Sequence, residues 1–334
     1  MQIITLGLNP AIDRIVSCAA LTPGEHLAVE LLAEIPAGKS VNVSRALALL
    51  NHDSLATGFI GRQDADFFIR GLAELSPGAA RSSWITVAGR TRENLSIIET
   101  ASGRETHLRQ PGFTVDGQDL RELSDRLVRI LDPGDIVVVA GSLPQGIKPE
   151  DFGELLSLLE TRQVRIALDT SGEPLRIGLR RAVWFAKPNA SELSEAMGLK
   201  LADDPAVIVR QLRDSAIMAE MLLISRGAQG AMLIDFKSGG AAWTAQSRCS
   251  RPVVRTVSCG DHLLAGFTAA QIRGMDLPAS LGFGVALATA RAVSADFECF
   301  NAGIFAELLP CTSVKAISYV SAAGGVDAPG AARL

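Results

Sequence analysis

Four consecutive residues, Ser258-Cys259-Gly260-Asp261, stand between the β-branched run that begins at Val253 and the apolar stretch Leu263 to Phe267. There Asp261 falls at the start of a helix, where unpaired N–H groups and the positive end of the helix dipole face whatever precedes the first turn. Such a start, approached by small residues, can receive a phosphoryl group in transfer, and a carboxylate beside it can take the proton of an attacking hydroxyl. The competing reading of Asp261 is an N-cap on an ordinary buried helix.

A second helix start reads Pro36-Ala37-Gly38-Lys39-Ser40. Its ending imitates a nucleotide-binding P-loop, yet Ala33 stands where that motif places its first glycine, and Pro36 removes an N–H from the phosphate nest. What remains is Gly38 and a cation, Lys39, with Asn42 about one turn on, a pair able to hold a phosphate that stays on the substrate. A solvated lysine is the alternative, although lysine is slightly unfavourable at a helix N-terminus.

Other candidates follow strand-like runs, at the carboxyl edge where open α/β sheets collect ligands. Asp13, after Leu8-Asn-Pro-Ala-Ile12, can accept hydrogen bonds from sugar hydroxyls. Ser142 follows the Ile136 run, and Asp169-Thr-Ser171 the next. Arg92 opens a strand-like pair from which a guanidinium fork can reach a substrate phosphate. Asn189 and Glu192, in Lys187-Pro-Asn189-Ala-Ser-Glu192, offer oxygens about a turn apart, suited to magnesium that keeps most of its waters, while a plain helix cap by Asn189 is the competitor. The glycines of Ser225-Arg-Gly227-Ala-Gln-Gly230 permit a nucleotide phosphate to approach the backbone. None is specific alone; their shared placement on one rim is the stronger signal.

Strand-like runs are expected over Ile3 to Leu8, Leu55 to Ile60, Ile136 to Ala140, Val164 to Leu168, Val183 to Ala186 and Met221 to Ser225. Helical patterns over Val41 to Leu50, Ala65 to Leu75, Leu120 to Leu131, Pro149 to Thr161, Ser191 to Met197 and Ala206 to Ile217 separate them. The alternation predicts an α/β fold, a doubly wound and mostly parallel sheet with helices on both faces. Two stretches, 14–35 and 84–109, break the rhythm with short strand-like pieces and turn signals at Pro23-Gly24 and Ser102-Gly103, and are expected to form a small β-sheet lid on a single domain spanning 1–320. The Gly-rich tail, 321–334, lacks periodicity and is expected to be disordered.

The 334 residues are 48% hydrophobic, ample for a large core, and the net charge of −4 comes with no basic block, so a nucleic-acid partner is not expected. No segment approaches a membrane span, and the N-terminus reads as a first strand rather than a signal peptide. Five cysteines, odd in number and widely spaced, fit reduced thiols of a cytoplasmic protein rather than disulfides or a zinc site. A dinucleotide-dependent oxidoreductase is disfavoured because no Gly-x-Gly-x-x-Gly follows the first strand.

Taken in order, Leu8-Asn-Pro-Ala-Ile-Asp13, Gly38-Lys39 with Asn42, Thr91-Arg92, Gly141-Ser-Leu-Pro144, Lys187-Pro-Asn189 with Glu192, Ser225-Arg-Gly227 and Gly260-Asp261 resemble the ribokinase-like (PfkB) carbohydrate kinases over roughly residues 1 to 300. The similar branch holds the 1-phosphofructokinases, tagatose-6-phosphate kinases and minor 6-phosphofructokinases. The resemblance implies ATP and Mg2+ as cofactors, a phosphorylated ketohexose as substrate and a homodimer formed through the β lid. It implies Asp261 as general base, Ser258, Cys259 and Gly260 as anion hole, and Asp13, Gly38, Asn42 and Ser142 around the sugar. Lys39 and Arg92 would face the existing phosphate, Lys187, Ser225, Gly227 and Gly230 the nucleotide, and Asn189 and Glu192 the magnesium. Here Ser258-Cys259 replaces the family's usual Gly-Ala, and Ser258 in a left-handed backbone would cost about 1 to 2 kcal/mol. Lys39 resembles the first two groups, whereas Thr91 to Leu95 and Gln110-Pro-Gly112 resemble the third. The leading expectation is phosphorylation of fructose 1-phosphate to fructose 1,6-bisphosphate, ahead of the other two activities. A non-catalytic sugar-phosphate or nucleotide sensor is the rival from another class.

Overall fold

The computed structural model describes residues 1–75, 80–213, 215–297, 299–320 and 326–327. The chain divides into an N-terminal unit, Gln2–Leu131 with Ala140–Lys148, and a C-terminal unit, Asp132–Val139 with Pro149–Leu334 and Met1.

The N-terminal unit runs β1 (Ile3–Gly7), β2 (Ala11–Cys18), β3 (Glu30–Ala37), α1 (Lys39–Leu49), β4 (Ser54–Gly61), α2 (Ala65–Leu75), β5 (Ala80–Val87), β6 (Arg92–Glu99), β7 (Glu105–Arg109) and α3 (Gly117–Ile130). Strands β1, β4 and β5 are parallel neighbours in that order. Ile60, Phe68, Leu72 and Trp84 join Ile12, Val41 and Ala56 in one buried cluster, Phe68 meeting Trp84 edge to face at 5.9 Å. α3 is capped by Asp116, whose carboxylate accepts N–H bonds from Gln118 and Asp119 while Asp119 reciprocates.

A second, four-stranded sheet has the order β3-β2-β6-β7. Its hairpin partners are antiparallel, but its central pair, β2 with β6, is parallel. Two boundaries differ from the sequence reading. β2 starts at Ala11, so Asp13 belongs to this sheet, which the sequence reading began at residue 14, and Trp84 to Val87 belong to β5. Half-buried strands alternate alike in either sheet, and the parallel ladder of β5 along β4, with Trp84 packed on Phe68, places that segment.

The C-terminal unit runs β8 (Ile136–Ala140), α4 (Pro149–Thr161), β9 (Arg165–Asp169), α5 (Gly172–Leu179), β10 (Phe185–Ala186), α6 (Ala190–Met197), α7 (Pro205–Arg213), β11 (Met221–Ser225), β12 (Ala231–Asp235), β13 (Ala241–Ser247), α8 (Cys259–Ile272), α9 (Leu277–Val293), α10 (Ala302–Leu308), β14 (Thr312–Ala316), β15 (Tyr319–Val320) and β16 (Val326–Asp327). Its sheet has the order β14-β13-β12-β11-β10-β9-β8, parallel through β9, β10 and β11 and antiparallel from β11 to β14. Ile-Val-Val-Val-Ala in β8 is buried at every residue, the pattern of a strand covered on both faces. α8 is buried from Asp261 through Ala270, and Phe267 on it packs edge to face on Phe185 of β10 at 5.0 Å, which fixes the helix against the strand end that carries Lys187.

The fold is therefore mixed α/β, with a mostly parallel large-sheet architecture and a separate small β-sheet. β15 and β16 pair as a ribbon, and the rest of the tail, 321–325 and 328–334, lies outside the described residues. Among the described residues no helix is long and apolar enough to cross a membrane.

Candidate active site

In the C-terminal unit the approach to α8 ends on Ser258, left-handed at φ 64° and ψ 4°. A side chain there carries the strain of about 1 to 2 kcal/mol that glycine would avoid. Ser258, not Asp261, is the N-cap, and its side chain makes no capping hydrogen bond to the first turn. Asp261, only 5% exposed, is the third helical residue.

Lys187 reaches this helix start from the end of β10. Its ammonium lies 3.0 Å from Asp169 Oδ2, with both side chains almost wholly buried. A Cβ placed on Gly260 would sit 3.2 Å from Lys187 Nζ, which puts a fixed positive charge over the second residue of α8 and explains the glycine there. Burial pushes the neighbouring Cys259 thiol up to about 11, with Asp261 adding to the effect and Arg291 opposing it. Cys259 is thus held as a neutral thiol.

Asn189 and Glu192 form a reciprocal capping box on α6: Glu192 N donates to Asn189 Oδ1 and Asn189 N donates to Glu192 Oε2, each at 2.8 Å. Asn189 also bridges to Ser225, whose N–H donates to Pro188 O at 3.0 Å. Ser225 leads directly into a single helical turn at Gly227–Gln229, with Gly227 and Gly230 at positive φ. No group of three or more His, Cys, Asp and Glu among the described residues forms a direct metal cage. One carboxylate and one amide oxygen, both oriented by backbone N–H groups, do fit magnesium held through its waters.

The N-terminal unit holds a second set. Asp13 on β2 stands opposite Asn94 on β6, and Asn94 Nδ2 donates to Asp13 Oδ1 at 2.8 Å. Burial raises the Asp13 carboxyl above the ordinary carboxylate range, although the Asn94 bond and the charges of Arg45, Arg92 and Arg109 act to lower it. Arg92 donates through Nε to the carbonyls of Asn9 and Pro10 at 3.2 and 3.3 Å. Burial and the adjacent Arg109 lower the Arg92 guanidinium, so two cations share this place. Ser142 Oγ accepts from Asn9 Nδ2 at 3.3 Å, and Asn42 Oδ1 accepts from Arg45 at 2.7 Å. Gly38, at φ 106°, lets the start of α1 close on this segment: a Cβ there would lie 2.9 Å from Pro10 Cα. Lys39 opens α1 and is half-buried.

Two groupings therefore emerge, Asp13, Gly38, Lys39, Asn42, Arg92 and Ser142 in one unit, and Lys187, Asn189, Glu192, Ser225, Gly227, Gly230 and Ser258 to Asp261 in the other. The first offers acceptors for hydroxyls beside cations for an anion; the second is a helix N-terminus with a buried cation and a carboxylate. The sequence profile of the pfkB family of carbohydrate kinases matches residues 6–295. The chain belongs to that family.

Among curated relatives of this pfkB-family protein, the 1-phosphofructokinase of Escherichia coli K12 is 34% identical over 305 residues, 91% of this chain and 93% of that protein. The 1-phosphofructokinase of Vibrio cholerae is 32% identical over 288 residues, 86% and 88% of the two chains. The solved phosphofructokinase-2 of Escherichia coli, in complex with substrates and products, matches with a TM-score of 0.85 at 25% identity, over 93% of this chain and 99% of that one. A possible 1-phosphofructokinase from Thermotoga maritima shares the fold, with a TM-score of 0.79 at 22% identity over 95% and 100%. The pfkB-family chain is a sugar-phosphate kinase, a phosphotransferase that uses ATP.

Four residues that the structure adds to these groupings are Asn9, Arg45, Asn94 and Arg109, and it pairs Asp169, a sequence candidate, with Lys187. Arg45, three residues after Asn42, is signalled by the helical period alone. Arg109 lies opposite Asn94 across β6 and β7, a pairing no local spacing reveals. Asn9 holds Ser142 and Leu143 while its own Oδ1, like that of Asn94, is buried with no hydrogen-bond partner among the described residues, leaving acceptors for hydroxyl donors.

Proposed function

We propose that this kinase phosphorylates fructose 1-phosphate at its 6-hydroxyl, giving fructose 1,6-bisphosphate and ADP. The observation that carries the reading is the buried Asp261 in the first turn of α8, beside N–H groups free of side-chain caps and the Lys187 ammonium over Gly260. In this reading the Asp261 carboxylate takes the hydroxyl proton as the new O–P bond forms and the bond from the γ-phosphorus to the bridging β–γ oxygen breaks, and ADP leaves with that oxygen. Ser258, Cys259 and Gly260 give the anion hole its shape, and because its donors are backbone N–H groups, serine and cysteine in place of the family's Gly-Ala leave them intact. Lys187 neutralises charge on the moving group, held in place by Asp169.

The sugar falls to Asp13, Asn42 and Ser142, with Gly38 closing the turn around it, and its 1-phosphate to Lys39, Arg92 and Arg109. Ser225, Gly227 and Gly230 border the nucleotide. Asn189 and Glu192 would hold Mg2+ through water, and a bound Mg2+ supplies positive charge to the nucleotide phosphates. Exposed Leu31 and Leu32 on β3 support a homodimer through the small sheet. Five free thiols and the need for ATP suit the cytoplasm.

The relatives' names favour fructose 1-phosphate. Fructose 6-phosphate and tagatose 6-phosphate are the second reading, favoured by Gly112, whose chain packs close on the Arg92 side chain in the Gln110-Pro-Gly112 segment. A coupled ADP-release assay over the three sugars decides by kcat/KM. The highest value for fructose 1-phosphate is expected; the highest value for either 6-phosphate replaces the substrate, and no turnover with any overturns the reading.

A further inference from the structure

Ser258 is an unusual residue for a left-handed position at a helix start, and the structure shows what holds it there. Arg291, on the last turn of α9 and 4% exposed, donates Nε–H to Ser258 Oγ at 2.8 Å. The same guanidinium donates through Nη1 to the carbonyls of Asp296 and Cys299 at 2.6 and 3.0 Å, and through Nη2 to that of Phe297 at 3.3 Å. Its fork thus ties the serine side chain to the backbone that follows α9. His262 completes a ring: its Nδ1 lies 2.8 Å from Ser258 O and its Nε2 3.4 Å from Cys299 Sγ. With Nδ1 protonated, the imidazole donates to the carbonyl and accepts from the thiol, so every member of this ring has a role. The approach to α8 is fixed to the same place, because the N–H groups of Val254 and Arg255 both donate to Ala292 O and Arg255 stacks on the Phe297 ring at 3.8 Å.

We propose that Arg291 is a positioning residue for phosphoryl transfer: it holds Ser258 left-handed, and through Ser258 it sets the direction of the N–H groups that meet the transferring group. The physical argument is compensation. A serine Cβ makes the left-handed conformation cost what glycine would not, and a partly buried, charge-assisted hydrogen bond offsets that cost. A guanidinium fits this task because one planar group can hold a hydroxyl and three carbonyls at once, which an ammonium cannot do in the same plane. The inference rests on the anion-hole reading above.

The test is a double-mutant cycle on kcat, with the sugar-phosphate KM, circular dichroism and thermal melting measured for each variant. Arg291→Lys is expected to lower kcat about tenfold in the native background, as loss of a charge-assisted hydrogen bond does, and less than about threefold in the Ser258→Gly background, where the left-handed turn needs no hold. The sugar-phosphate KM is expected to stay within about twofold throughout, since a positioned anion hole acts on the transition state and not on sugar binding. Equal losses of kcat in the two backgrounds, or losses that appear in KM instead, overturn the proposal. Should Arg291→Lys fail to fold, Ser258→Ala decides, because it keeps the strained Cβ and deletes only the hydroxyl: a fall in kcat of about three- to tenfold supports the hold, and a native kcat refutes it. Failure of the underlying site looks different. If transfer does not occur at the start of α8, Asp261→Asn also keeps its turnover; if only the hold is wrong, Asp261→Asn loses turnover while Arg291 and Ser258 show no coupling.

Discussion

Gly260→Ala separates the catalytic reading of the α8 start from a merely structural one, because the two predict opposite signs. In helix propensity alanine exceeds glycine by up to about 1 kcal/mol, and Gly260 has no positive φ to forbid a side chain, so the helix itself gains. The added methyl would lie 3.2 Å from Lys187 Nζ, inside ordinary contact distance, so the ammonium must give way by a few tenths of an ångström. Lys187 has little freedom to do so harmlessly, since its side chain is 5% exposed and 3.0 Å from Asp169. A misplacement of about 1 Å in a reacting constellation costs about a hundredfold, so about half that displacement corresponds to about a tenfold loss of kcat. Steady-state kinetics with ADP release and a thermal melt on the same preparation give both numbers. The expected result is a melting temperature equal to or above the native one together with the tenfold loss, and a further loss below about twofold when Gly260→Ala is added to Lys187→Ala. A native kcat, or a loss that adds in full to that of Lys187→Ala, would show that the ammonium has no part in transfer.

Asp261→Asn is expected to lower kcat by about a hundredfold or more while calorimetry still detects the sugar phosphate; near-native kcat removes the base from the mechanism. Lys39→Ala should weaken phosphorylated sugars about tenfold or more and their unphosphorylated counterparts hardly at all, and equal losses would contradict its phosphate contact. Burial holds the Asp13 carboxyl above its unfolded value of 3.8, so the ionised group opposes folding above the native pKa and costs nothing well below 3.8. Asp13→Asn should accordingly raise the melting temperature at about pH 7, lose that gain as the pH falls to about 3, and still raise the sugar KM; a lowered melting temperature at neutral pH would reverse the sign. With its thiol near 11, Cys259 is about one part in a thousand thiolate at about pH 8, so iodoacetamide should label it far more slowly than the exposed Cys311, as peptide mass mapping can show.

Much of the C-terminal machinery was legible along the chain because each part is local. The run Ile136 to Ala140 reads as a buried strand and is one, and Ser225 to Gly230 reads as a glycine-bearing link between a strand and a hairpin and joins β11 to β12. The Asn189 and Glu192 spacing reads as a cap or as a magnesium pair, and the fold shows the cap. The ordering of motifs from Asp13 to Asp261 carried the family, since seven short signals in one order are far more specific than any of them alone.

The sequence by itself determined the alternation of strands and helices, the apolar faces that must be buried, and the placement of small residues before α8, all of which depend on neighbours within a few positions. Tertiary structure alone decided that Lys187 lies over Gly260 and that Asp13 stands opposite Asn94. It also put Arg109 beside Arg92 and made Arg291, 33 residues away, the hydrogen-bond donor to Ser258. The reason is physical: periodicity reports which side of an element is apolar, whereas the meeting of two charged or polar groups from distant segments depends on sheet register and helix packing, and a shift of one residue turns a strand side chain to the opposite face and a helical one about 100° around its axis.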